Sequence, residues 1–129
     1  MRSGIARVMT VVLVVEDEPL VRLAAMGLIE DLGYIALEAA DADEAILLLE
    51  AHPEITVVFT DVQMAGSMDG IELSHWAAGR WPPLKFIVVS GGFSPTADDL
   101  TKDAVFLAKP YGDLAVRSAI AGFLTTAAP

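Results

Sequence analysis

The stretch "VLVVEDEPLVR", residues 12–22, decides how this chain is read. Val12 to Val15 form an apolar run of the kind a buried strand needs, and three acids, Glu16, Asp17 and Glu18, follow at once. Pro19 then stands where a helix can begin, because a first-turn residue has no use for its N–H. A buried strand that ends on mutually repelling carboxylates and turns into a helix requires something to offset that charge.

The same alternation continues outward. Leu20, Ala24, Leu28 and Leu32 recur every four residues, which predicts a helix from about Pro19 to Leu32 with these residues on its inner face. Gly33 ends it. "YIALEA" (34–39) predicts a second, more polar strand nearer an edge, and "DADEAILLLEAH" (41–52) a helix started by Asp41 and Glu44 in a capping-box pattern. "ITVVFT" (55–60) is apolar throughout and predicts a central third strand. A loop follows, then a helix from about Gly70 to Arg80 that "WPP" blocks from continuing. "KFIVVS" (85–90) and "AVFLA" (104–108) predict strands four and five, and "YGDLAVRSAIAGFL" (111–124) a last helix. "GGFSPTADDLTKD" (91–103) lacks helical periodicity, so a helix between these two strands is expected to be short or poorly ordered. Regular alternation implies an α/β fold, a small doubly wound five-stranded parallel sheet with helices on both faces.

Composition narrows the function classes. The 129 residues suffice for one domain, and 54% of them are hydrophobic. The expected layout is a lead-in over 1–8, one domain over 9–125 and a tail over 126–129, with no output domain after the last helix. A net charge of −10 argues against direct nucleic-acid binding and against anionic membranes. With no cysteine there is no disulfide frame and no thiolate chemistry. Mean hydropathy is +0.55, yet the apolar runs are strand-sized, well below the roughly 20 residues of a spanning helix. "MRSGIARVMTVVLVV" superficially resembles a secretion signal, but "EDEP" stands where a small-residue cleavage site belongs. A cytoplasmic protein is expected.

In a parallel doubly wound sheet, ligands sit beyond the carboxyl ends of the strands. Glu16 and Asp17 follow strand one, Asp61 strand three, Ser90 closes strand four and Lys109 follows strand five. Two unit charges about 5 Å apart repel by roughly 3 kcal/mol at an effective dielectric near 20, a cost that a divalent cation removes. Hard oxygen donors without Cys or His favour Mg²⁺. Cation, ammonium and hydroxyl around a carboxylate suit a phosphoryl group, and a carboxylate can itself receive that group as an aspartyl phosphate. Asp61, after the most apolar strand, is the best candidate acceptor.

"VVEDEP", "FTDVQMAGSMDGIEL", "VVSGG" and "FLAKPY", in this order and at about these spacings, resemble the receiver domain of bacterial two-component response regulators from about Met9 to Leu124. The resemblance implies a flavodoxin-like strand order 2-1-3-4-5. It implies that Glu16 and Asp17 place Mg²⁺ (or Mn²⁺), that Asp61 is both phosphoacceptor and metal ligand, and that the backbone carbonyl of Gln63 is a further ligand. Ser90 takes the switch hydroxyl position and Lys109 binds the phosphoryl group, with Lys109–Pro110 a cis peptide. Phe106 takes the switch-aromatic position, without the hydroxyl of a tyrosine. The implied partners are a histidine kinase or histidine phosphotransfer protein upstream and an unidentified protein downstream. "MAG" stands where the family usually has "MPG", and Ser67 reads as an extra residue, which predicts a looser loop beside Asp61.

Plainer readings stand beside these. Glu18 reads as helix N-terminal charge bias. His52 and His75 lie on predicted helices away from the acidic edge, and Trp76 and Trp81 pack on or just after the third helix. Phe106 reads equally as a core strand residue. Two other functions share the chemistry. A haloacid dehalogenase-type phosphohydrolase needs a second Asp two residues after its nucleophile, where Gln63 stands. A pseudo-receiver that only binds partners would not need Asp17, Asp61, Ser90 and Lys109 intact.

Overall fold

The computed structural model describes residues 9–92 and 94–126. The elements are β1 (Val11–Val15), α1 (Pro19–Asp31), β2 (Ile35–Ala39), α2 (Ala42–Ala51), β3 (Ile55–Asp61), α3 (Gly70–Arg80), β4 (Lys85–Ser90), β5 (Ala104–Ala108) and α4 (Asp113–Thr126), with a 3₁₀ turn at Ala97–Asp99. The five strands form one sheet in the order β2-β1-β3-β4-β5, and every pairing is parallel. The polar second strand is at an edge and the apolar third at the centre. The expected lead-in over 1–8 and residues 127–129 of the expected tail lie outside the described residues, while Thr126 belongs to α4.

Side-chain alternation along the strands makes two cores. On one face Leu13, Val15, Val58, Phe86 and Val88 meet Ala45 and Leu49 of α2 and Leu73 and Ala77 of α3. On the other, Val12, Val14, Val57, Phe59, Ile87 and Val89 meet Ala25 and Ile29 of α1 and Val116 and Ile120 of α4. Each fully buried Val, Leu, Ile or Phe side chain stabilises the fold by roughly 1.5–3 kcal/mol, so both layers contribute substantially.

The α1 helix corrects one expectation. Its buried residues are Ala25 and Ile29, with Met26, Leu28 and Leu32 packed beside them. Leu20 is 79% exposed, and Ala24 is exposed too. A spacing of four drifts by about 40° per step around a helix of 3.6 residues per turn. The apolar series therefore leaves the sheet over the helix's first two turns.

Between β4 and β5 the described residues form no α-helix. Thr96 caps the 3₁₀ turn, its N–H and hydroxyl both donating to Asp99 Oδ2. Leu100 packs on the α2/α3 core, and His75 of α3 donates from Nε2 to the Asp99 carbonyl at 2.6 Å. His52 caps the end of α2 and pairs with Glu54 at 3.0 Å. Trp76 and Trp81 meet edge to face, with the Arg80 guanidinium over both rings.

Candidate functional site

Strand register alone lines up the site. Val15 pairs with both Ala39 and Thr60, Asp61 with Val89, and Ser90 with Ala108. The residues at or just after these positions, Glu16, Asp61, Ser90 and Lys109, therefore share one rim at the carboxyl end of the sheet. The Lys109 N–H donates to the Ser90 carbonyl at 2.9 Å, which extends the β4–β5 pairing by one residue.

Lys109 Nζ lies 3.0 Å from Asp61 Oδ1 and 3.8 Å from Glu16 Oε1. Glu16 and Asp61 are both buried. Burial pushes the Glu16 carboxyl above its ordinary value, and the Asp61 charge adds to this against the Glu18 N–H and Lys109. For Lys109, burial alone would lower the pKa, but the hydrogen bond and charge of Asp61, then the charge of Glu16, outweigh it and raise the pKa. The ammonium thus remains charged beside the two acids.

Asp17 is exposed beside them. Its Oδ2 accepts the Ala65 N–H at 3.0 Å, and that bond holds its carboxyl below the usual value. Ser90 is buried at the end of β4. Gln63 is exposed in the loop after Asp61. Phe106 sits opposite Val88 in β5 with its side chain against the α2/α3 core. The Lys109–Pro110 peptide is cis, as is Pro82–Pro83, which carries no signal in the sequence.

The loop from Val62 to Asp69, expected to be looser, is tied on three sides. Ala65 is bound to Asp17, Ser67 Oγ donates to Asp43 Oδ1 at 2.7 Å, and the Gly70 N–H donates to the Val62 carbonyl. Helix α3 then begins with a full capping box between Asp69 and Glu72. Gly70 is obligatory there. A Cβ on it would collide with the Asp61 carbonyl oxygen and lie 2.8 Å from the Asp61 carbonyl carbon. The Thr60 hydroxyl donates to the same Asp61 carbonyl at 3.0 Å.

Three residues near the rim were not singled out from sequence. Arg22 of α1 donates from Nη1 to the Glu16 carbonyl at 2.8 Å and from Nε to Glu38 Oε1 at 2.9 Å. Tyr111, two residues past Lys109, is half-buried and packs edge to face on Phe59 at 5.4 Å; burial raises its hydroxyl pKa. Gly70 is the third. Only Gly70, in the quoted "MDGIEL" and behind the Asp69–Glu72 capping pattern, had a local signal.

Among the described residues, no three His, Cys, Asp or Glu side chains close around a common point as a ready metal cage. The donor chemistry still fits a hard cation. Glu16, Asp17 and Asp61 share the rim with a single ammonium, and all offer oxygen. Mg²⁺ typically takes only one or two carboxylates and keeps several waters, so it needs no complete protein cage.

Comparison with known proteins points the same way. Residues 12–121 match the family described as the response regulator receiver domain. The chain is 38% identical over 104 residues to sensor kinase CckA of Brucella abortus, covering 78% of this chain and 11% of that protein. It is 34% identical over 104 residues to the nitrogen assimilation regulatory protein NtrX of Azorhizobium caulinodans, covering 78% and 23%. The chain thus spans only about a tenth to a quarter of these relatives' lengths. Its fold superposes on the crystal structure of the receiver domain from hybrid histidine kinase CckA with a TM-score of 0.75 at 31% identity, covering 88% of this chain and 98% of that one.

Proposed function

Because this chain belongs to the receiver domain family of response regulators, we propose that Asp61 takes a phosphoryl group from a phosphohistidine on a histidine kinase or histidine phosphotransfer protein. The observation that carries this reading is Lys109 Nζ at 3.0 Å from Asp61 Oδ1, on a rim shared with Glu16.

In the proposed step an Asp61 carboxylate oxygen attacks phosphorus and a P–O bond forms. The P–N bond to the donor imidazole breaks, and the electron pair returns to the ring nitrogen, which takes up a proton. Lys109 follows the charge onto the phosphoryl oxygens, and Ser90 offers its hydroxyl to one of them. Asp17 and Asp61, with the Gln63 carbonyl and Glu16 behind them, would hold Mg²⁺ or Mn²⁺. Such an ion supplies the positive charge that lets an anionic donor approach an acidic rim.

The chemistry is stoichiometric: the domain modifies itself, and slow attack of water on the aspartyl phosphate restores it. Ser90 and Phe106 form the proposed switch. Ser90 responds to the phosphoryl group, and Phe106, lacking a hydroxyl, responds by repacking alone. The setting is the cytoplasm. A net charge of −10 supports a protein partner over nucleic acid, and among the described residues no helix is long and apolar enough to cross a membrane.

Incubation with Mg²⁺ and acetyl phosphate, read by intact mass, tests the reading. One phosphoryl adduct is expected, and none in Asp61→Asn. An adduct that survives in Asp61→Asn would assign the acceptor elsewhere. Steady phosphate release from small esters would indicate a phosphohydrolase, and no adduct at all a pure interaction module.

A further inference from the structure

We propose that Arg22 is a positioning residue for the acidic pair: by holding the peptide that joins Glu16 to Asp17, it sets the aim of both carboxylates and thereby the affinity of the rim for Mg²⁺. The inference rests on the reading of Glu16 and Asp17 as metal-placing acids.

Every polar group of Glu16 has a partner. Its N–H donates to the Ala39 carbonyl at 3.0 Å, its Oε2 accepts the Glu18 N–H at 3.1 Å, its Oε1 faces Lys109, and its carbonyl accepts Arg22 Nη1 at 2.8 Å. Of these partners, Arg22 alone is a side chain reaching back from the following helix to the backbone between the two acids. The N–H on the far side of that same peptide belongs to Asp17, so the group that Arg22 holds is the link between the two acids. Rotating the peptide would therefore disturb Glu16 through its carbonyl and Asp17 through its N–H together.

Arg22 is itself held. Its side chain is 19% exposed, and its Nε is bound to Glu38 of β2 at 2.9 Å. One planar guanidinium thus spans two acceptors on two elements. A lysine, with one compact ammonium, cannot reproduce that fork. Groups that orient metal-binding residues without touching the metal typically change metal affinity 10- to 100-fold when removed.

The test is Mg²⁺ binding by calorimetry alongside the Mg²⁺ dependence of phosphorylation by acetyl phosphate. Arg22→Met keeps the apolar stem and removes the fork. Its Mg²⁺ dissociation constant is expected to rise about tenfold. Its phosphorylation rate at saturating Mg²⁺ should stay within about threefold of wild type, because the reacting groups are untouched. A general loss of structure would instead lower the maximal rate. Arg22→Lys is expected to resemble Arg22→Met and serves in its place if Arg22→Met does not fold. Wild-type Mg²⁺ affinity in either folded variant overturns the proposal while leaving the role of Asp61 intact. A wild-type protein that binds no Mg²⁺ overturns both.

Discussion

Two connections leave adjacent strands at the same rim and are built in opposite ways. The segment after β3 is bound to the β1–α1 turn through Asp17, to α2 through Asp43 and to its own strand through Val62, then enters a fully capped helix. Among its described residues, the segment after β4 has a three-residue 3₁₀ turn, a His75–Asp99 bond to α3 and Leu100 packed on the α2/α3 core. Yet Ser90 and Lys109, at the two ends of this second segment, stay in register. The parallel β4–β5 pairing holds them, together with the Lys109 N–H on the Ser90 carbonyl. The difference teaches that the rim depends on strand ends and on the first connection, and not on a helix between β4 and β5.

The largest effect should separate two glycines. Gly70→Ala forces a methyl into the Asp61 carbonyl and is expected to cost about 3 kcal/mol, read as a fall in the urea midpoint. Gly92, in the second connection, has open space around its missing side chain, and Gly92→Ala should stay within about 0.5 kcal/mol. Equal costs at the two sites would erase the contrast.

Lys109 comes next, as the point where the second connection delivers a group to the first. Lys109→Met should slow phosphorylation by acetyl phosphate about a hundredfold, a typical loss when one charge-stabilising donor is removed. A rate within a factor of three of wild type would remove Lys109 from the chemistry.

The helix caps sharpen the comparison at lower energy. Asp69→Ala, at the start of α3, should cost about 1 kcal/mol, since the Glu72 N–H loses its side-chain acceptor. Thr96→Ala, at the 3₁₀ turn, should cost less than about 0.5 kcal/mol, because so short a turn supports little packing. Equilibrium urea unfolding of the two variants side by side decides it. If Thr96→Ala proves the more costly, the second connection contributes more than its contacts indicate.

The smallest effects follow pH in Mg²⁺-free buffer. Burial first, and then the Asp61 charge, raise the Glu16 carboxyl above its ordinary 4.5. Its ionised form therefore weakens the fold at neutral pH, and acidification through the raised value relieves that penalty. Glu16→Gln is accordingly expected to raise the urea midpoint at pH 7 while weakening Mg²⁺ binding. Lys109 behaves oppositely. Its pKa is raised above 10.5 by Asp61 and Glu16, which outweigh burial. Its stabilising contribution is complete below the ordinary lysine value and is lost as pH climbs through the higher folded one. Lys109→Met should lack that alkaline decline, and a decline unchanged in Lys109→Met would contradict the assignment.

Much of the frame was legible in the sequence because strands announce themselves locally. β3, β4 and β5 begin at Ile55, Lys85 and Ala104 as the sequence reads, and where periodicity is absent in 91–103 the described residues form only a 3₁₀ turn. Gly33 does end α1, with a positive φ of 94°. Asp41 does cap α2, although Glu44 returns its bond to the Ala40 N–H in place of the cap's own. The buried stripe of α1 was misread because leucine spacing marks a helical face without saying where the sheet stops. Arg22 was invisible for a related reason. Its two acceptors, Glu16 and Glu38, come together only when β1 and β2 pair beneath α1, and no local pattern encodes that meeting.

The contact between Gly70 and the Asp61 carbonyl has a consequence for anyone who would rebuild this molecule. The start of α3 is seated directly on the acid's main chain, with the Thr60 hydroxyl closing the other side. Helix and carboxylate are therefore geared together: α3 cannot slide along the sheet without dragging Asp61. A chimera that borrows this crossover must carry residues 60–72 as one indivisible cassette.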